Sequence, residues 1–103
     1  MKLYVGMDVS LKETSLCVVD GKGEIVSEGT VISDPTAIAA FIKGKARNAI
    51  RIGLETGPTT TWLWHELRAL GLPVICIDAR HANRRGGRRS FASPRLIEAV
   101  LNP

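Results

Sequence analysis

The chain is expected to fold as an α/β protein on one mixed sheet of five strands, in the order 3-2-1-4-5. Three observations predict it. Three short apolar runs follow one another at the start, joined by tight turns, as in an antiparallel meander. Two segments of helical spacing then alternate with two more apolar runs, as in parallel crossovers. Each run is too short for a solvated helix and long enough for a buried strand.

The first strand runs to about Val9. Alternation puts Leu3, Val5, Met7 and Val9 on one face and Tyr4, Gly6 and Asp8 on the other. Residues 10–13 form a tight turn. Thr14 to Asp20 is the second strand, rich in β-formers. Gly21-Lys22-Gly23 signals a hairpin. Glu24 to Val31 follows as a third strand whose polar alternation marks an edge with one wet face. Asp34 and Pro35 open a helix, as cap and first helical residue, and Gly44 closes it. Ile38, Phe41 and Ile42 share its inner face. Ala49 to Glu55 is the fourth strand, parallel to the first through a right-handed crossover. After the turn Thr56-Gly57-Pro58, a second helix spans Thr59 to Leu70. Leu63, Leu67 and Leu70 face the sheet, and Trp62 and Trp64 cannot both do so. Val74 to Ile77 is the fifth strand. Pro94 to Leu101 carries one or two amphipathic turns, too short to stand alone. One sheet face is expected to be poorly covered, which makes a homo-oligomer plausible.

At 103 residues the chain is one domain or part of one. No apolar run approaches a membrane span and no signal peptide is visible, so the expected location is cytoplasmic, with no membrane partner. Cys17 and Cys76 sit in strand-like runs without metal-ligand spacing and read as reduced core residues. The net charge of +4 is uneven. Residues 1–79 hold eight basic and nine acidic side chains, whereas residues 80–103 hold six arginines and only Glu98. Arg80, Arg84, Arg85, Arg88 and Arg89 form a basic cluster that would attract nucleic acid in a salt-dependent way. Residues 84–90 have no apolar face and read as loop or disorder.

The chemistry is expected where the first and fourth strands end side by side, the crevice in which open α/β sheets place ligands. Asp8 and Glu55 occupy those ends, and Gly6 and Gly53 lie two residues before them on the same faces, keeping the approach clear. Two carboxylates meeting there raise each other's pKa unless a cation lies between them. Asp8 and Glu55 are therefore expected to be ligands of Mg²⁺ or Mn²⁺, which take oxygen donors. The plainer alternative is a turn cap at Asp8 and two separately hydrogen-bonded acids. His65 reads as a half-exposed helix residue, and Thr59 to Thr61 as a helix cap.

The runs G-M-D-V-S at 6–10, L-E-T-G-P-T at 54–59 and I-D-A-R-H-A-N at 77–83 resemble the N-terminal domain of the DEDD transposases, the insertion-sequence and pilin-gene-invertase group. The resemblance covers about residues 3–83. It implies an RNase H-like, RuvC-like domain at 1–83. It implies that Asp8 and Glu55 are the first two of four catalytic, metal-binding acids, that DNA is cleaved and exchanged with metal assistance, and that a structured guide RNA takes part. The last two acids have no counterpart, because no Asp follows Asp78. Residues 84–103 depart from the family and read as an atypical basic tail of frameshifted origin. By this reading the domain is incomplete, lacks its C-terminal helices, and is an inactive transposase fragment.

Two rivals stand beside it. A first strand ending G-x-D-x-S and followed by a hairpin also resembles the actin-like sugar kinases and ATPases, where it cradles phosphate and Mg²⁺. Glu55 followed by Thr-Gly-Pro weighs toward the nuclease. The other rival is a non-catalytic nucleic-acid-binding module that uses the arginine tail alone.

Overall fold

The computed structural model describes residues 2–55, 60–77 and 94–102. Its elements are β1 (Leu3–Val9), β2 (Glu13–Asp20), β3 (Ile25–Ile32), α1 (Pro35–Lys45), β4 (Arg51–Glu55), α2 (Thr60–Ala69), β5 (Val74–Ile77) and α3 (Pro94–Leu101). The strands form one sheet in the order β3-β2-β1-β4-β5, as expected. β1 pairs antiparallel with β2 and parallel with β4, and β4 pairs parallel with β5.

Local chemistry sets the boundaries. In the β2–β3 turn one carboxylate oxygen of Asp20 accepts the amides of Lys22 and Glu24, at 2.8 and 3.0 Å. Gly23 takes φ +86° there, a conformation that glycine adopts without a Cβ penalty. Asp34 caps α1 by accepting the Ala37 amide at 3.0 Å, and Pro35 follows in the first turn.

Alternation along the strands divides the side chains between two cores. Val5 and Met7 of β1, Leu16 and Val18 of β2, and Ile52 and Leu54 of β4 are buried with Ile38 and Ile42 of α1 and Leu63 and Leu67 of α2. A Cβ at Gly29 of β3 would overlap the Phe41 ring, so this glycine lets α1 lie close over the edge of the sheet. Trp64 turns inward, its indole N–H donating to the Val74 carbonyl at 3.3 Å, while Trp62 stays half exposed.

The opposite face departs from expectation. It is covered by α3, whose Leu96 and Val100 are buried and whose Ile97 and Leu101 pack beside Cys17, Val19 and Tyr4. Arg51 ties the helix end to β4 through a bond to the Val100 carbonyl at 3.2 Å, and its guanidinium lies over the Tyr4 ring. Eight residues cannot hold a helix in water, and α3 persists because its apolar side is buried on the sheet. Cys17 is buried as read, but Cys76 is exposed on the short edge strand β5. No helix among the described residues is long and apolar enough to cross a membrane.

Candidate phosphate and metal site

Met7 of β1 pairs with Leu54 of β4, so the next residues along the two parallel strands, Asp8 and Glu55, meet at adjacent strand ends. They share the sheet face that α3 covers further down. Asp8 is exposed and Glu55 half buried. The surrounding strand ends push the Asp8 carboxyl above its ordinary value by desolvation. Glu55 is raised by desolvation first and by the negative charge of Asp8 second. The two acids therefore sense each other. Among the described residues no third acid, His or Cys completes a cluster around them. Two hard oxygen donors on one open face suit Mg²⁺, which keeps several of its waters.

Gly6 and Gly53 have a different role from the one expected. The space above them is filled by α3. A Cβ at Gly6 would lie 3.2 Å from Leu96, and one at Gly53 would lie 2.5 Å from Ile77 and 3.2 Å from Val100. The glycines admit the helix rather than keep a path to the acids open.

The sequence did not point to the polar network behind Asp8. Ser10 closes the β1–β2 turn, its amide and hydroxyl both donating to the Glu13 carbonyl at 2.9 and 2.7 Å. Ser33, just past β3, donates its amide to the Lys12 carbonyl at 2.9 Å and its hydroxyl to the Ser10 carbonyl at 2.7 Å. The buried Thr14 hydroxyl lies 2.8 Å from that of Ser33. The hairpin beside Asp8 is thus held from both strands. The signal was the Ser33-Asp34-Pro35 triplet, which reads as a helix start and says nothing of a cross-sheet contact.

The turn at 56–59, Asp78 and the arginines Arg80, Arg84, Arg85, Arg88 and Arg89 lie outside the described residues. His65 is exposed, its ring 4.8 Å from that of Trp64.

No protein-family profile and no curated protein matches the chain. Solved structures do. A ROK family glucokinase from Streptomyces griseus, in complex with glucose and AMPPNP, aligns with TM-score 0.56 and 23% identity over 78% of this chain and 34% of that one. An inorganic polyphosphate/ATP-glucomannokinase from an Arthrobacter species aligns with TM-score 0.55 and 17% identity, over 80% and 46%. The chain thus spans roughly a third to under half of these proteins, and at such identity the likeness establishes the fold alone.

The expectation of a RuvC-like DEDD transposase domain, with its DNA recombination, is corrected by these neighbours, which are sugar kinases of the actin-like ATPase fold. What stands is the coarser statement, an α/β protein with a mixed sheet in the order 3-2-1-4-5. The reason for the error is physical. A carboxylate at the end of the first strand, followed by a hairpin, is common to both resemblances. The feature used to separate them, Thr56-Gly57-Pro58 after Glu55, was a short turn motif of little weight.

Proposed function

We propose that this chain is part of an actin-like sugar kinase or ATPase and supplies the strand ends and hairpin that meet Mg²⁺ and the nucleotide phosphates. The observation that carries the reading is the meeting of Asp8 and Glu55 beside a hairpin braced by Ser33, on a sheet with the fold of the sugar kinases. When bound, Mg²⁺ supplies charge neutralisation at phosphate oxygens. Asp8, the more exposed acid, is the direct ligand in this reading. Glu55, beside it, would add negative charge that holds the ion. The hairpin at 10–13 presents backbone beside the ion and does so without rearrangement, because both of its ends are fixed. Phosphoryl transfer to a sugar is assigned only to an assembly that also contains the remaining half or more of such an enzyme.

The test is thermal unfolding with AMPPNP, with and without Mg²⁺. A Tm rise at millimolar nucleotide that needs Mg²⁺ and vanishes in Asp8→Asn supports the reading. A rise that survives without Mg²⁺, or none at any nucleotide concentration, sinks it.

A further inference from the structure

The end of the sheet away from Asp8 is strongly basic. Among the described side chains Lys12 is the one cation at the end that carries Asp8, Glu13, Asp34 and Glu55. Lys2 and Lys22 lie at the opposite end, where β1 starts and β2 finishes. Lys43 and Lys45 close α1, Arg47 follows it, Arg51 starts β4, and Arg68 is in the last turn of α2. The acids at that end are Asp20, Glu24 and Glu66, and Asp20 is engaged by the β2–β3 turn. Glu66 lies two residues before Arg68 on α2, and Glu28 and Glu98 lie along the middle of β3 and α3.

A concavity of about 710 Å³ opens there, with Lys43, Arg47 and Asn48 on its rim and Ile42, Ile52, Leu72 and Pro73 beneath. A second, of about 520 Å³, adjoins it through Gly71, Leu72 and Pro73 and adds Arg51 and Arg68. No carboxylate lines either one. One of the guanidiniums is held flat in advance, Arg68 over Trp64 at 5.1 Å, whereas Arg51 is engaged by the Val100 carbonyl and the Tyr4 ring under α3. A stacked guanidinium keeps its N–H edge free for phosphate and its outer face free for a flat ring.

From this continuous groove, with a cationic rim and an apolar floor, we infer that the strand-start end of the molecule is a binding site for a single-stranded polynucleotide. Two adjoining concavities, each of small-molecule size, offer successive places along a chain rather than one enclosed pocket for a single nucleotide. Phosphates meet Lys43, Arg47 and Arg68. Bases lie on the accessible apolar lining, Leu70, Leu72 and Pro73, and on the Arg68 plane, the combination that binds single strands with little sequence preference. Inorganic polyphosphate matches the rim and has nothing to offer the floor. The site is separate from the Asp8 end and does not depend on what that end binds.

The test is fluorescence anisotropy of a labelled single-stranded oligonucleotide with the full chain across a salt series. Neutralising three or four phosphates predicts a log–log salt slope of about −2 to −3. Lys43→Glu with Arg47→Glu should weaken binding by about tenfold or more at moderate salt. The single charge reversal Lys12→Glu, at the opposite end, should leave it within about twofold. Both variants change exposed side chains, and equal melting curves confirm that they fold. Unlabelled duplex and inorganic polyphosphate should compete at least tenfold less well than the single strand. The inference is overturned if the Lys43/Arg47 variant binds as the parent does while replacing Arg84, Arg85, Arg88 and Arg89 by Ala abolishes binding. It is also overturned if polyphosphate competes as well as the oligonucleotide.

Discussion

At Asp8 and Glu55 the backbone register forces two like charges to share one strand end. Both carboxyls are held above their ordinary values, so each binds its proton more tightly in the fold than in the unfolded chain. Their burden on stability is therefore greatest when both are ionised. It falls away as pH drops through the raised folded values toward those of the unfolded chain. Without metal, Glu55→Gln should melt a few degrees above the parent at pH 7, and the gap should close on acidification toward pH 4. Melting curves across that range check it, and a gap independent of pH would show that the charges do not interact. Ser33 acts at the same scale by a different means. Ser33→Ala removes the hydroxyl that bridges Ser10 and the buried Thr14, at a cost of about 1 kcal/mol. The loss should appear as faster amide exchange at Ser10 and Ser33, with Ser33→Thr restoring protection and the amides of β4 unchanged.

The elements are held to one another by side chains that glycines make room for. Gly53→Ala drives a methyl group into Ile77 and Val100, which should cost about 1–3 kcal/mol. Gly6→Ala meets only Leu96, its Cγ and Cδ2 at 3.2 and 3.3 Å, a milder overlap than the 2.5 Å at Gly53, so urea unfolding should rank Gly53→Ala well below Gly6→Ala. The seating of α3 is also visible through a thiol. Cys17 lies beneath Ile97 and Leu101, and burial, with Glu28 second, pushes its thiol up to about 11. Cys76 is exposed. A thiol reagent should therefore label Cys76 first and Cys17 at least tenfold more slowly. Leu101→Asp should accelerate Cys17 selectively. Equal rates at the two cysteines in the parent would mean that α3 does not cover this face.

Across the described residues, the two ends of the sheet carry opposite charge and offer different chemistry. Carboxylates and a braced turn stand at the ends of β1 and β4, and cations around a groove stand where those strands begin. Raising the salt concentration should weaken an oligonucleotide at the basic end far more than an Mg²⁺ nucleotide at the acidic end. The large concavity lies at the basic end, so depth alone does not mark the proposed phosphate site. The solved sugar kinases extend to more than twice the length that this chain covers.

The sequence by itself determined the order of elements, the strand order and the meeting of Asp8 with Glu55. Hydrophobic period and turn chemistry are local, and a right-handed crossover after a meander leaves few ways to arrange five strands. The cap at Asp34 and the burial of Leu63 and Leu67 were legible for the same reason, whereas which tryptophan turns outward was not, and Leu70, expected on the sheet, is exposed past the end of α2. Only the tertiary structure decided what the glycines were for. A glycine in a strand reports that something comes close, and whether that is a ligand or Leu96 depends on a segment some ninety residues away in the chain. The bond from Ser33 to Ser10 joins residues 23 positions apart and leaves no periodic trace. The basic end was equally hidden, because Lys2, Lys22, Lys43, Arg47 and Arg68 are scattered along the chain and gather only when the strands pair. Charge counted along the sequence pointed to the arginine tail, whereas charge placed by the fold points to the groove.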